Sequence, residues 1–270
     1  MLLYLVFTLF LTIFFWSDLE HPAIQLLLRI IVILIYFLLA SYYKKFGTIR
    51  QVRVFLPFLF LPFLYSETDF FNNILFEDLD IYLSHFEEKL FGSQYSVIFS
   101  QTFTNPFFAE LMYFGYFSYY IMVIGLALFA YYRVDKKVGE WVGYMTIASF
   151  LIFYLIFDFI PVTGPQFFWA NQLQALPDGY FFGYAIRLAQ YIGERPTAAF
   201  PSSHVAICLI LIWMSYKKVK SLFPILIAIG FVLVFSTIYL RAHYVVDVIA
   251  GLISAPLVYI LANHIYNRLS

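Results

Sequence analysis

Residues 222–265 read LFPILIAIGFVLVFSTIYLRAHYVVDVIAGLISAPLVYILANHI, two apolar runs joined by Arg241-Ala242-His243. Each run has about 20 residues, enough at about 1.5 Å rise to cross a hydrocarbon layer about 30 Å thick, so the joint makes this stretch a helical hairpin across a membrane. The same pattern occurs at Met1–Trp16, Ala23–Tyr43, Val54–Tyr65, Pro106–Tyr132, Trp141–Ile160 and His204–Tyr216. Counting Leu222–Leu240 and Tyr244–Ile265, the chain has about eight predicted spans. Val54–Tyr65 and His204–Tyr216 are short; they extend into polar flanks or, for Val54–Tyr65, re-enter. The start of the chain lacks the basic opening and small-residue cleavage site of a signal peptide, so Met1–Trp16 reads as a mature helix.

Composition agrees. Hydrophobic residues make up 63% of the 270 and charged residues 12%, against about 25% charged in a soluble domain. The mean hydropathy is +0.84. A water-soluble globule and a disordered chain are both excluded. The expected fold is all-α, a polytopic integral membrane bundle. Its expected division is an N-terminal hairpin with a basic loop over 1–53 and a six-helix core over 54–270. The single cysteine, Cys208, rules out a disulfide framework or a thiolate metal site.

The 16 basic and 16 acidic residues cancel in number but not in place. Lys44, Lys45, Arg50 and Arg53, then Arg133, Lys136 and Lys137, then Lys217, Lys218 and Lys220, and finally Arg268 occupy alternate joints. By the positive-inside rule these joints are cytoplasmic, with both termini, and the opposite face is periplasmic or lumenal. Only Asp135 and Glu140 among the acids lie on the basic side. Arg29 falls inside the second span. Of the two long outer loops, 66–105 contains an amphipathic stretch around residues 81–91 suited to the interface, and 167–203 is rich in Gly, Pro and aromatics.

Chemistry gathers at the outer ends of the sixth to eighth spans. His243 and Asp247 share a helix face at i,i+4, so the carboxylate can orient the imidazole and leave its other nitrogen free to attack. Asp247 lies within a span, where an ionisable group costs roughly 2.5–3.5 kcal/mol on insertion scales and so calls for a partner. Pro201-Ser202-Ser203-His204 opens a span, with serine caps and N–H groups able to hold phosphate. His204 there suits a proton donor to a departing oxygen, and Arg241 a ligand for phosphate oxygens. No Asp, Glu and His set has metal-ligand spacing, so no metal or other cofactor is expected.

At these residues the chain resembles the type 2 phosphatidic acid phosphatase superfamily of membrane lipid phosphatases and phosphotransferases. The family's Pro-Ser-Gly-His motif appears as Pro201-Ser202-Ser203-His204, and its Ser-Arg-x5-His-x3-Asp motif as Ser236-Thr237, five residues, His243, three residues, Asp247. The resemblance implies His243 as a nucleophile that becomes phosphorylated, Asp247 as its partner and His204 as general acid. Thr237 replaces the family's arginine, and Arg241 is expected to take its place. The family's first motif is absent as written. In its position stands Pro161-Val162-Thr163-Gly164-Pro165-Gln166, and this stretch, with Ala199-Phe200-Pro201-Ser202-Ser203-His204 and Arg241-Ala242-His243-Tyr244-Val245-Val246-Asp247, is more similar to the branch of inositol phosphorylceramide synthases, the inositolphosphotransferases.

The implied activity is phospho-headgroup transfer to a lipid acceptor such as ceramide at the outer leaflet. The alternatives are hydrolysis of phosphatidate or a polyprenyl diphosphate, with water as acceptor, and a non-catalytic transporter. The implied partners are membrane lipids with phosphate headgroups, and no nucleic acid. Arg187 and Arg195 read as substrate-phosphate ligands or as outer-loop ion pairs, with Glu194 an obvious neighbour. Gln166 reads as a substrate contact or a loop hydrogen bond, and Asp158 as a loop cap or a group that orients an acceptor hydroxyl. The tyrosines of the fourth span, from Tyr113 to Tyr120, read as a headgroup pocket or as an aromatic belt with helix packing.

Overall fold

The computed structural model describes residues 1–46 and 50–269 of the chain. Residues 47–49 of the basic loop, and the side chains of Lys44, Lys45 and Arg50, lie outside the described residues. The described residues form twelve α-helices, one π-helical turn (Ala130–Val134) that continues α6, and no strand: α1 (Leu2–Phe14), α2 (Pro22–Phe46), α3 (Arg50–Phe71), α4 (Asp80–Phe91), α5 (Tyr95–Thr102), α6 (Pro106–Phe129), α7 (Lys136–Phe159), α8 (Pro165–Phe168), α9 (Phe181–Gly193), α10 (Ser203–Lys218), α11 (Phe223–Tyr239) and α12 (Val245–Leu269). All eight predicted spans are helical. Four of them, in α3, α6, α7 and α12, are long and apolar enough to cross a membrane. The protein is an all-α integral membrane bundle.

Local sequence starts and stops these helices. Asn105 accepts from the N–H groups of Phe107 and Phe108 and is followed by Pro106 at the first helical position of α6. Asp135 caps α7 through Lys137 N at 2.7 Å. Ser202 caps α10 through Val205 N at 3.3 Å. The third span, expected to be short or re-entrant, continues from Arg50 to Phe71 through Pro57 and Pro62. Its polar end is kept helical by a buried partner from another helix.

That partner is Arg29 of α2, fully buried, whose Nη2 lies 3.5 Å from Glu67 Oε2. Its Nε donates to Thr8 Oγ1 of α1 at 3.2 Å, and its guanidinium lies 5.1 Å from the centre of the Phe71 ring. Asp158 of α7, also buried, feels the charges of Arg29 and Glu67. The N-terminal hairpin thus meets the core through polar groups at membrane depth, while Tyr4 and Phe7 of α1 pack on Tyr154 and Phe159 of α7.

In the core, α6 packs against α11, α9, α7 and α10, α10 against α11 and α12, and α3 against α7. Antiparallel alternation brings the basic joints to one end. There Phe55 meets Tyr131 and Tyr132, Tyr144 meets Tyr266, and Lys217 Nζ reaches the Tyr259 hydroxyl at 3.2 Å. The opposite end carries α4, α5, α8, α9 and the loops between them.

The amphipathic stretch forms α4, but the face it buries is polar. Asp80, Ser84 and Glu87, at i, i+4 and i+7, point into the protein, whereas Ile81, Tyr82, Phe86 and Leu90 are exposed. This is the arrangement of an interfacial helix that turns its apolar side to lipid and its polar side to loop backbone. The second long loop contains an unforeseen helix, α9. Glu110 of α6 caps it from a distance, accepting from Tyr180 N at 2.6 Å, Phe182 N at 2.7 Å and Gly183 N at 3.1 Å.

Replacing Arg29 with Met should lower the unfolding free energy in detergent by about 3–5 kcal/mol, since Glu67 would stay buried without its counter-charge. Adding Glu67→Gln should recover most of the loss, as a thermal or denaturant melt of the single and double variants will show.

Candidate active site

Three loops meet where α7, α9 and α11 end and α10 and α12 begin. Their backbones are tied to one another: Ala199 N donates to Val162 O, Gln166 N to Arg241 O and Ser202 N to Asp247 O, each at 3.0 Å. Gly164 makes the contact possible. Its φ is +92°, and a Cβ there would sit 2.9 Å from Ala242 O and 3.0 Å from the Ala199 methyl. On α12, a Cβ on Gly251 would come within 2.6 Å of Ser202 O, so only glycine lets α12 lie this close to the start of α10.

Asp80 holds the assembly from below. Its buried carboxylate accepts from Thr163 N, from Thr163 Oγ1 at 2.8 Å, from Gly164 N at 2.9 Å and from the Tyr244 hydroxyl at 2.9 Å. Glu87, one face along α4, accepts from Val245 N at 2.8 Å in the first turn of α12. Burial pushes the Glu87 carboxyl up to about 7, and the N–H of Val245 works against that shift.

The two predicted histidines sit at the centre, with His204 Nδ1 3.2 Å from His243 Nε2. His243 Nδ1 lies 2.8 Å from the carbonyl oxygen of Ala199. A carbonyl can only accept, so Nδ1 carries the proton and Nε2 presents its lone pair. His204 Nδ1 then donates to that lone pair, and the order along the chain of bonds is Ala199 O, His243, His204. Burial pushes His243 down to about 4, against the pull of the Ala199 carbonyl and the charge of Glu194, so the ring is neutral at physiological pH. His204 packs against the rings of Tyr116 and Tyr119 at 4.9 and 4.4 Å.

Asp247 takes a place different from the expected one. Its Oδ2 lies 3.7 Å from His243 Nδ1 and accepts from Tyr244 N at 2.7 Å, so the ring is oriented by the Ala199 carbonyl with the carboxylate behind it. The local reason is the turn at 244–247, in which the carboxylate caps its own helix. Ser202 Oγ is the α10 cap. The N–H groups of Ser203 and His204, in the first turn of α10, have no acceptor among the described residues and sit where the helix dipole favours an anion.

Arg241, expected as a phosphate ligand, points elsewhere. Its guanidinium donates to Ser100 Oγ at 3.1 and 2.8 Å and to the carbonyl of Gln174, bridging α5 to the loop before α9. These bonds use three of its five donors. Its backbone is unusual too. Arg241 has φ +63° at the position after the α11 cap, with Arg241 N on Ile238 O at 3.0 Å and Ala242 N on Thr237 O at 3.1 Å. That is the helix-terminating motif normally completed by glycine. The left-handed cost of roughly 1–2 kcal/mol is borne for the sake of the side chain.

Three other candidates lie apart from the histidines. Asp158 belongs to the Arg29 cluster at membrane depth, because it falls on the α7 face that meets α1 and α3. Arg187 pairs with Asp178 at 3.3 Å in an exposed contact, its ion-pair reading. Arg195 donates to the Glu194 carbonyl at 3.2 Å and sits near Asp69 of α3. Gln166 enters through its backbone contact with Arg241, and its side chain faces the Glu194 carboxylate. Tyr116, Tyr119 and Tyr120 line a cavity that also reaches His204, whereas Tyr113 packs under α9 and donates to Pro177 O at 2.9 Å.

Sequence reasoning missed Asp80, Glu87, Glu110 and Glu194. The spacing of Asp80, Ser84 and Glu87 was visible, but a polar stripe on a surface helix reads as water-facing. Nothing local to Glu110 signals a partner, since the N–H groups it caps lie about 70 residues away, and Glu194, read as a neighbour of Arg195, instead faces Gln190 of α9 and Gln166 of another loop.

A family model described as the PAP2 superfamily matches residues 81–261. The match starts in α4, leaves α1–α3 outside and contains both histidines. An uncharacterized protein of Methanocaldococcus jannaschii is 25% identical over 176 residues, 64% of this chain and 68% of that protein. No solved structure matches significantly.

Two measurements check the geometry. Imidazole NMR should show His243 neutral, with its proton on Nδ1, from pH 8 down to about 5, and titrating near 4. Asp80→Ala should lower the unfolding free energy by about 3 kcal/mol, since the donors from Thr163, Gly164 and Tyr244 lose a buried acceptor, and this can be read from melts beside wild type.

Proposed function

The chain belongs to the PAP2 superfamily, and we propose that it is a membrane lipid phosphotransferase that works through a phosphohistidine on His243. The observation that carries this reading is the bonded order Ala199 O, His243, His204, which exposes one nucleophilic lone pair directly opposite one proton donor. Membership supports a phosphatase-type membrane enzyme acting on phosphorylated lipids. The residue roles below are our own reading.

Substrate replaces the hydrogen bond between the two rings. The phosphate settles at the start of α10, its oxygens taking the N–H groups of Ser203 and His204 and the positive end of the helix. Its negative charge favours the imidazolium form of His204. His243 Nε2 attacks phosphorus in line, the phosphorus–oxygen bond to the leaving alcohol breaks, and His204 gives its Nδ1 proton to the departing oxygen. Phosphorylated His243 keeps its Nδ1 proton and carries positive charge, which the Ala199 carbonyl and the Asp247 carboxylate stabilise. In the second half, neutral His204 takes the proton of the acceptor hydroxyl as that oxygen attacks phosphorus and frees His243.

The acceptor decides the outcome. A lipid hydroxyl such as that of ceramide gives headgroup transfer, in the manner of the inositolphosphotransferases that the stretches at 161–166, 199–204 and 241–247 resemble; water gives a lipid phosphate phosphatase. In this reading the basic joints and both termini face the cytoplasm, the site opens at the outer leaflet, the α1–α2 hairpin is an addition to the catalytic core, and Arg241 acts on the phosphate by holding its loop.

Purified protein offered phosphatidate, a polyprenyl diphosphate, or phosphatidylinositol with and without ceramide should release free phosphate or form a new phospholipid. His243→Ala should abolish either product by at least about a thousandfold, as removal of a nucleophile does. Turnover that survives His243→Ala in a folded protein refutes the mechanism.

A further inference from the structure

A cavity of about 360 Å³ opens beside His204 and runs down between α3, α6 and α7. Its walls are aromatic and aliphatic, including Leu61, Tyr120, Ile124 and Phe150, and His204 and Ser203 close its upper end. His243 is not part of its lining. In an in-line displacement the attacking nitrogen and the leaving oxygen lie on opposite sides of phosphorus. A phosphate between the two rings, attacked by His243, therefore sends its leaving oxygen to the His204 side, into this cavity. The apolar chain in the cavity is then the alcohol part of the ester, and an incoming acceptor must occupy the same space.

One acidic residue faces that space. Glu194, just after α9, lines the cavity with Gln190, and Gln166 and Gln190 lie close enough to its carboxylate to favour its charge. Its charge is felt by His243 and by Tyr65, Tyr116 and Tyr120. No cation forms an ion pair with the carboxylate among the described residues, since Arg195 turns to the Glu194 backbone carbonyl. Burial holds the Glu194 carboxyl above the usual range, and the neighbouring Gln166, His243 and Gln190 act against that shift. A carboxylate so near a phosphate site repels a second anion and leaves acceptor capacity toward the cavity.

Resting on the phosphoryl-transfer reading, we propose that Glu194 is a specificity-determining residue that accepts a hydrogen bond from a hydroxyl or amide donor on the lipid alcohol, next to the ester oxygen. The residue selects alcohols with such a donor, both as leaving groups and as acceptors. A carboxylate acceptor left unpaired by a substrate without the donor is the kind of buried loss that gives large discrimination.

The test uses two single-acyl lipid phosphates of equal chain length, one with a free 2-hydroxyl on its glycerol and one 2-deoxy, with full-length protein in detergent. Wild type should favour the hydroxylated lipid in kcat/KM by about tenfold or more, mainly through KM. Glu194→Ala should reduce that ratio toward one, and Glu194→Gln and Glu194→Asp, which keep an acceptor oxygen, should restore part of it. A wild type with no preference, or variants that lose activity on both lipids equally and keep the ratio, overturns the proposal and leaves the phosphoryl-transfer reading standing. Turnover of neither lipid by wild type, nor of the other phosphorylated lipids named above, removes both.

Discussion

The carbonyl oxygen of Ala199 sets the chemistry of this protein, because it can accept a hydrogen bond and do nothing else. Its contact with His243 Nδ1 at 2.8 Å decides which nitrogen of the ring is free, and the 3.2 Å contact with His204 follows from it. A carbonyl can perform this task only if its loop is rigid. Ala199 N is held by Val162 O, Val162 precedes the residues bound by Asp80, and Asp80 sits on a helix lying along the interface. The reactive geometry is thus carried by backbone and by one buried carboxylate, with Asp247 in support.

Polar groups between elements organise the rest of the bundle in the same way. Arg29 and Glu67 join the hairpin to α3, and Glu110 gives α9 the helix start that its own sequence lacks. In each case an acid meets either a cation or several N–H groups: Arg29 and Glu67 because charge cannot be left bare away from water, Glu110 because the first N–H groups of a helix need an acceptor. The energy of such contacts depends on removing every alternative partner, and so they lie between elements far apart in the chain.

The aromatic richness of the sequence has two separate uses. Part of it is packing, as where Phe99 and Phe108 meet Tyr239 and where Phe114 and Phe117 meet Phe182. Another part, Tyr116, Tyr119 and Tyr120, forms a wall beside His204. Tyrosine suits that position because it is apolar along its body and polar at its tip.

By itself the sequence determined the place of the apolar helices, the all-α class and the pair of histidines. Those features follow from hydropathy over about 20 residues and from spacing within one turn, which are local properties of the chain. Tertiary structure alone decided which group orients His243, that the guanidinium of Arg241 turns to Ser100, that Asp158 belongs to the Arg29 cluster, and that the polar face of α4 looks inward. A hydrogen bond is short and directional, and its partner is chosen by whichever backbone passes within about 3 Å. The residues from 80 to 247 come within that distance only once the helices have packed.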